Sequence, residues 1–128
     1  MAVRRLRARG QASPAVVWER YERIALWPTW SPQIWRVEAD APRIGAGVHG
    51  TVVVPGGLGL PFTVTAVDPA ARSWTWVVRL GPVALTLTHA VQAAAVGSGT
   101  TLMMEGPGAL LLGYAPVAGV ALRRLVAR

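Results

Sequence analysis

The segment SPAVVWERYERIALWPTWSP, residues 13–32, carries the strongest helix and turn signals of the sequence. It begins with Ser-Pro, which is typical of a helix start because serine is a favoured N-cap and proline suits the first helical turn. Apolar side chains then recur at helical spacing, at Val17, Tyr21 and Ile24. We therefore predict an amphipathic helix over residues 14–23.

Two proline steps interrupt the helical pattern at the end of this stretch. Trp27-Pro28 and Ser31-Pro32 each disfavour helical backbone at the residue before the proline. The sequence thus predicts a short second helix or turn over residues 27–33, after which the character of the chain changes.

Strand-like segments lie on both sides of the helical stretch. Before it, residues 3–9 alternate loosely and carry an arginine-rich face that we expect to point to water. After it, six segments are separated by turn signals: residues 34–40, 48–54, 62–67, 73–80, 84–94 and 100–105. Gly97-Ser98-Gly99 is predicted to form the turn of the last hairpin.

The C-terminal segment, residues 109–128, carries a second apolar stripe. Its members recur at helical spacing: Leu111, Ala115, Ala118, Leu122 and Leu125. We predict a helix there that is regular only after Pro116. The whole pattern is α+β, with a seven-stranded antiparallel sheet, two short helices between strands 1 and 2, and a C-terminal helix covering the sheet. We expect one domain over residues 1–128.

The composition excludes several classes of protein. The chain has 128 residues, a mass of 13.6 kDa and 52% hydrophobic residues, which suffices for a core without disulfides. There is no cysteine, so disulfides, thiolate metal sites and cysteine catalysis are excluded. The longest weakly polar stretch, residues 106–122, is interrupted by two prolines and is too short for a membrane span. No apolar signal-peptide region follows the basic N-terminus, so we expect a cytoplasmic protein.

The charge is strongly positive and carried by one residue type. All thirteen cationic side chains are arginine, against six acids, which gives a formal net charge of +7. Such a surface either keeps the protein soluble or binds an acidic partner. Aromatic residues are not interleaved with the arginine clusters, so we expect no nucleic-acid binding.

Several short motifs together resemble those of the SRPBCC or START-like superfamily. This superfamily has the helix-grip fold and includes polyketide cyclases/aromatases, lipid-transfer domains and plant pathogenesis-related allergens. The matching segments extend over nearly the whole chain: residues 13–18, WPTWSP at 27–32, Val37-Glu38, Gly45-Ala46-Gly47, Asp68-Pro69, Trp74 and Trp76, His89, Gly99-Thr100-Thr101 and residues 121–125.

The resemblance implies a seven-stranded antiparallel sheet wrapped around the C-terminal helix, with an apolar cavity between them. Two features depart from the family pattern. The last helix is short, and the loop at residues 55–59 is rich in glycine. Both predict a pocket that is smaller or more open than in lipid-transfer relatives.

His89 and Glu105 are the candidate catalytic residues. If Ala95 pairs with Gly99 across a three-residue turn, these two residues lie opposite each other, about 4.5–5.5 Å apart at Cβ. A carboxylate there would raise the pKa of the histidine and hold its tautomer, as a general base requires. The alternatives are a structural cross-strand pair and a pair on the outer face. A register slip of one residue would separate the two side chains.

The candidate ligand-binding residues are apolar or aromatic side chains that the helix-grip fold directs toward the cavity. They are Trp30, Trp35, Phe62, Val64, Trp74, Trp76, Leu87, Met103, Tyr114 and Ala118. Six tryptophans suit either an aromatic-lined pocket for a planar or polyene ligand or the packing of a small core. Both interpretations stay open at this point.

The sequence predicts no metal site and no cofactor, since two histidines and six acids form no ligand cluster of convincing spacing. We expect a hydrophobic small-molecule ligand in an apolar cavity. The most specific hypothesis, drawn from the resemblance, is a small polyketide cyclase/dehydratase-like enzyme that meets an acidic acyl-carrier protein. The alternative is a non-catalytic carrier or sensor. A homodimer is a further expectation, because a short helix leaves part of the sheet uncovered.

Overall fold

A computed structural model describes residues 1–128 and contains one sheet of seven strands. The strands are β1 (Ala2–Gly10), β2 (Arg36–Ala39), β3 (His49–Val54), β4 (Leu58–Asp68), β5 (Ser73–Leu80), β6 (Val83–Ala93) and β7 (Ser98–Gly106). They lie in the order β1-β7-β6-β5-β4-β3-β2, and all neighbours are antiparallel. The predicted α+β helix-grip fold is confirmed.

Two short helices connect β1 to β2, as predicted. Helix α1 spans Pro14–Glu22, and the side chain of its N-cap Ser13 accepts a hydrogen bond from the Val16 amide. A 3₁₀ turn leads into helix α2 (Trp27–Trp30).

The two tryptophans of α2 hold it against the end of α1. Trp27 Nε1 donates to the Tyr21 carbonyl at 2.8 Å, and Trp30 Nε1 donates to the Arg20 carbonyl at 3.0 Å. The last carbonyls of a helix have no partner within it, so these two indoles satisfy groups that would otherwise be orphaned. The WPTWSP motif therefore fixes where the chain leaves the helical layer and enters the sheet.

The C-terminal helix α3 spans Gly108–Leu125 and covers the inner face of the sheet. Its buried residues include the whole predicted stripe, which is confirmed. The helix runs without interruption through Pro116, so the prediction of regular helix only after this residue was wrong. Pro116 lies on the exposed side of α3, where its ring meets solvent rather than the core. No helix of the structure combines the length and apolar character needed to cross a membrane.

The glycine-rich loop after β3 is shorter than predicted. Leu58 and Gly59 belong to β4, where they pair with Val54 and Val53 of β3. Only residues 55–57 form the turn, and Gly56 and Gly57 have φ angles of 94° and 81°. The segment is thus a tight hairpin, because its two central glycines adopt the left-handed conformation that such turns require.

The predicted register of the β6–β7 hairpin was wrong. His89 pairs with Leu102, and Glu105 pairs with Thr86. The turn lies at residues 94–97, with Gly97 at a φ of 73°, so Ser98 is already part of β7. The observed pairing differs from the predicted one by an odd number of residues. Side chains of β7 that were expected to share a face with His89 therefore lie on the opposite face of the sheet.

The end of α3 is held against β1 by a close backbone approach at Gly10. The Ala12 amide donates to the Val126 carbonyl at 3.1 Å, and a methyl group on Gly10 would overlap that same carbonyl oxygen. The Arg20 guanidinium donates to the Leu125 carbonyl at 2.5 Å, which places a cation at the negative end of the helix dipole.

Gly10→Ala is expected to lower the free energy of unfolding by about 1–3 kcal/mol, because the added methyl group must push the end of α3 away from β1. Gly113→Ala is the matched control, since a Cβ at Gly113 in α3 meets nothing within 4 Å. Its greater helix propensity should raise stability by about 0.5–1 kcal/mol. Urea unfolding of both variants checks the prediction, and an equal effect in the two would contradict it.

Candidate ligand-binding site

An apolar cavity lies between the inner face of the sheet and α3. It has a volume of about 270 Å³, and we call it the outer compartment. Gln33 is the one non-hydrophobic residue among those that line it. The lining is Gln33, Ile34, Val52, Val54, Leu60, Trp76, Val78, Leu80, Leu85, Leu87, Leu110, Tyr114 and Val117. Its volume is close to the lower end of the range for small-molecule sites, about 300–1,000 Å³.

A second, much smaller space adjoins the first, and we call it the inner compartment. Its volume is about 20 Å³, which is enough for one water-sized group. Gln33, Ile34, Trp76, Leu87 and Tyr114 line both compartments. The walls of the inner compartment also include aromatic and small residues: Trp27, Trp30, Trp74, His89, Ala118 and Ala121.

His89 is part of a continuous chain of hydrogen bonds behind this cavity. Trp76 Nε1 donates to His89 Nε2 at 3.1 Å, and His89 Nδ1 lies 3.1 Å from the Tyr21 hydroxyl. The Tyr21 hydroxyl lies 2.7 Å from the Thr100 hydroxyl, which donates to the Ala90 carbonyl at 3.0 Å.

The direction of this chain determines the state of His89. An indole N–H only donates, so His89 Nε2 must accept and the ring proton must sit on Nδ1. His89 Nδ1–H then donates a hydrogen bond to the Tyr21 oxygen, and the Tyr21 hydroxyl donates to the Thr100 hydroxyl oxygen. Every member of the chain is satisfied, and neither ring nitrogen of His89 remains for a substrate.

Burial keeps His89 neutral. Its ring is stacked on Trp74 at a centroid distance of 4.8 Å, and only 5% of the residue is exposed. The loss of solvation disfavours the imidazolium and lowers the pKa of His89 to about 3. Burial also raises the pKa of the Tyr21 hydroxyl well above its usual range.

The lowered pKa of His89 predicts that acid destabilises the protein. Between pH 6.5 and about 3, His89 binds a proton in the unfolded state but not in the folded state. The free energy of unfolding therefore falls as the pH falls through this window. The expected loss is about 1.4 kcal/mol per pH unit, or nearly 3 kcal/mol at pH 4.5. Urea unfolding from pH 7 to 4.5 measures it. His89→Gln removes the titration, and an unchanged pH slope in that variant would refute the prediction.

Gln33 and Tyr114 form the polar feature of the cavity wall. Gln33 Nε2 donates to the Tyr114 hydroxyl at 2.9 Å, which joins the loop before β2 to α3. Burial raises the pKa of Tyr114, and the hydrogen bond from Gln33 offsets part of this. Tyr114 is therefore a neutral phenol at the cavity wall. No charged side chain lines either compartment.

A family described as "Polyketide cyclase / dehydrase and lipid transport" matches residues 7–128, which is almost the entire chain. This chain belongs to that family. The resemblance inferred from the sequence motifs is thereby confirmed, and the sheet, helix and cavity described above are this family member's version of the helix grip. A sequence comparison with curated proteins found no match.

Solved structures with the same fold support the architecture of this family member. The crystal structure of Ara h 8.0201 has a TM-score of 0.77 at 14% identity, covering 97% of this chain and 94% of that one. An uncharacterised protein from Bacillus thuringiensis has a TM-score of 0.79 at 16% identity, covering 98% and 96%. The di-domain ARO/CYC BexL from the BE-7585A biosynthetic pathway has a TM-score of 0.78 at 15% identity, covering 98% and 46%.

The predicted ligand-binding residues fall into three groups in this family member. One group lines the compartments: Trp30, Trp74, Trp76, Leu87, Tyr114 and Ala118. Phe62 and Val64 are buried in the core but line neither compartment. Trp35 is 58% exposed, and Met103 lies on the outer face of β7, so neither reaches the cavity. Four tryptophans line the inner compartment, Trp27, Trp30, Trp74 and Trp76, and three of these also pack against one another, so the geometry agrees with both interpretations.

The predicted pair of His89 and Glu105 does not form. His89 points into the core, whereas Glu105 alternates with buried Met104 on β7 and takes the outer face. The register found for the hairpin is the physical reason, as it separates the two residues by the thickness of the sheet. Sequence reasoning missed Gln33. The only signal for it in the sequence is its position as a polar residue between Ser31-Pro32 and the apolar Ile34.

The arginines of β1 form a separate basic surface. Arg5, Arg7 and Arg9 are exposed on its outer face, as predicted from the alternation. The salt bridges made by arginine in the structure belong to Arg23, Arg36 and Arg43. The β1 arginines therefore have no carboxylate partner within the chain.

Proposed function

We propose that this protein binds a neutral, hydrophobic small molecule in the outer compartment and serves as its carrier or sensor. The observation that supports this most strongly is the cavity wall, which is almost wholly aliphatic and aromatic and contains no charged side chain. Apolar ligand surface removed from water there contributes about 25 cal/mol per Å². A family whose description includes lipid transport agrees with such a role.

The wall also limits the charge of the ligand. An ionised group brought into this cavity would lose its hydration and find no side chain of opposite charge. The ligand of this proposal is therefore uncharged over the part that enters the outer compartment.

The state of His89 favours the carrier over the enzyme. A general base needs an accessible lone pair, and both ring nitrogens of His89 are engaged by Trp76 and Tyr21. Glu105, the other candidate, lies on the outer face of the sheet. Binding requires neither residue.

A polyketide cyclase/dehydratase-like enzyme is the second candidate, and Tyr114 is the observation that favours it. Its neutral hydroxyl at the cavity wall can donate a hydrogen bond to a ligand carbonyl while the cavity holds a reactive chain in a folded conformation. In this version the unpaired β1 arginines would bind an acidic acyl-carrier protein that delivers the substrate. A homodimer stays a prediction.

Native mass spectrometry of the protein purified from its own cells tests the proposal. We expect a bound apolar molecule of defined mass that denaturation releases unchanged. For the enzyme, the released molecule would instead convert to a product on incubation with the protein, and Tyr114→Phe would slow that conversion while binding persists. A protein that carries nothing and takes up no apolar compound in titrations would contradict the proposal.

A further inference from the structure

Two buried polar atoms of the protein have no hydrogen-bond partner, and both belong to residues that line the inner compartment. They are Gln33 Oε1 and Trp74 Nε1. Buried polar atoms in folded proteins are nearly always paired, because an unpaired one has lost its bond to water without compensation. Two such atoms on residues that line one small space point to a polar group from outside the chain as their hydrogen-bond partner.

The Gln33–Tyr114 hydrogen bond defines what that polar group must be. Gln33 Nε2 donates to the Tyr114 oxygen, so the hydroxyl proton of Tyr114 is free to be donated elsewhere. The other end of the amide, Gln33 Oε1, is a free acceptor. The pair thus offers one donor and one acceptor beside each other at the boundary of the two compartments.

We infer that Gln33 and Tyr114 bind a neutral hydroxyl group, of an alcohol or a phenol, at one end of an otherwise apolar ligand. A hydroxyl is the smallest group that both accepts a hydrogen bond, here from Tyr114, and donates one, here to Gln33 Oε1. A ketone or an ether accepts only and leaves Gln33 Oε1 unpaired. This inference rests on the proposed function, since it specifies the ligand of the same cavity.

The dimensions of the two compartments fix the orientation of the ligand. About 20 Å³ in the inner compartment accommodates one oxygen atom and its proton but no ring, whereas about 270 Å³ in the outer compartment accommodates the apolar body. The hydroxyl therefore enters first. Trp74 Nε1, the second unpaired atom, is an N–H donor on another residue that lines the inner compartment.

Binding of three matched probes tests the inference: β-naphthol, its methyl ether and naphthalene, each measured by equilibrium dialysis. We expect wild-type protein to bind β-naphthol about tenfold more tightly than the methyl ether, because the ether cannot donate to Gln33 Oε1. In Gln33→Met, which keeps the length of the side chain, this preference should disappear. Tyr114→Phe should weaken β-naphthol binding several-fold and leave naphthalene binding unchanged.

The outcomes separate this inference from the proposed function. If all three probes bind wild-type protein with equal affinity, the hydroxyl inference is overturned and the apolar site stands. If the preference for β-naphthol persists in a folded Gln33→Met protein, the inference is overturned as well. If no probe binds, both the inference and the proposed function fail. Circular dichroism and thermal unfolding establish that each variant is folded.

Discussion

Val117→Trp is expected to weaken β-naphthol binding by between tenfold and a hundredfold. Val117 lies on α3 at the wall of the outer compartment and is 38% exposed, so the larger side chain can turn inward and occupy ligand space. Excluding the ligand from roughly 100 Å² of apolar wall costs about 2.5 kcal/mol. That free energy corresponds to a change in affinity within the stated range.

Val120→Trp is the matched control for this variant. Val120 lies on the same helix and is 39% exposed, but it lines neither compartment. Equilibrium dialysis should show wild-type affinity in Val120→Trp and a clear loss in Val117→Trp. If the two tryptophan variants bind β-naphthol equally well, the outer compartment is not where the ligand lies.

Replacing His89 is expected to destabilise the folded state strongly. His89→Leu should lower the free energy of unfolding by about 2–4 kcal/mol. The substitution leaves the Trp76 indole N–H buried without an acceptor, which costs about 1–3 kcal/mol. It also removes the stacked contact with Trp74, worth about another 0.5–1.5 kcal/mol.

His49→Leu provides the control for His89→Leu. His49 is exposed on β3, and its Nδ1 lies 3.2 Å from Asp40 Oδ2. Solvent screens this contact. Substitution there should change stability by no more than about 0.5 kcal/mol. Urea unfolding at pH 7 compares the two, and a loss as small for His89→Leu as for His49→Leu would show that the hydrogen-bonded chain contributes little to the fold.

The elements that the sequence predicted well are those with a strong local signal. Ser13 and Pro14 mark the start of α1 by chemistry that acts within one turn, and the stripe from Leu111 to Leu125 defines the buried face of α3 whatever lies opposite. Both depend on interactions within a few residues. The order of these elements then limits the fold to a sheet covered by one long helix.

The candidate site was predicted less well because it depends on register. Leu102, Met103 and Met104 are consecutive and apolar, so their pattern cannot tell which of them faces the core. Pairing Ala95 with Gly99, where the structure pairs Ala93 with Ser98, then put Glu105 on the wrong face. Trp35 lies just before the edge strand β2, at the margin of the sheet, and is exposed there.

Nuclear Overhauser effects between the ligand and protein methyl groups would show whether an apolar ligand lies between the sheet and α3. The protein would carry labelled leucine and valine methyl groups and be saturated with β-naphthol. We predict contacts from the naphthyl protons to Leu85, Leu87 and Val117, which line the outer compartment, and none to the exposed Val96. Contacts to exposed methyl groups alone, with none to the methyl groups of the cavity wall, would contradict binding in the outer compartment.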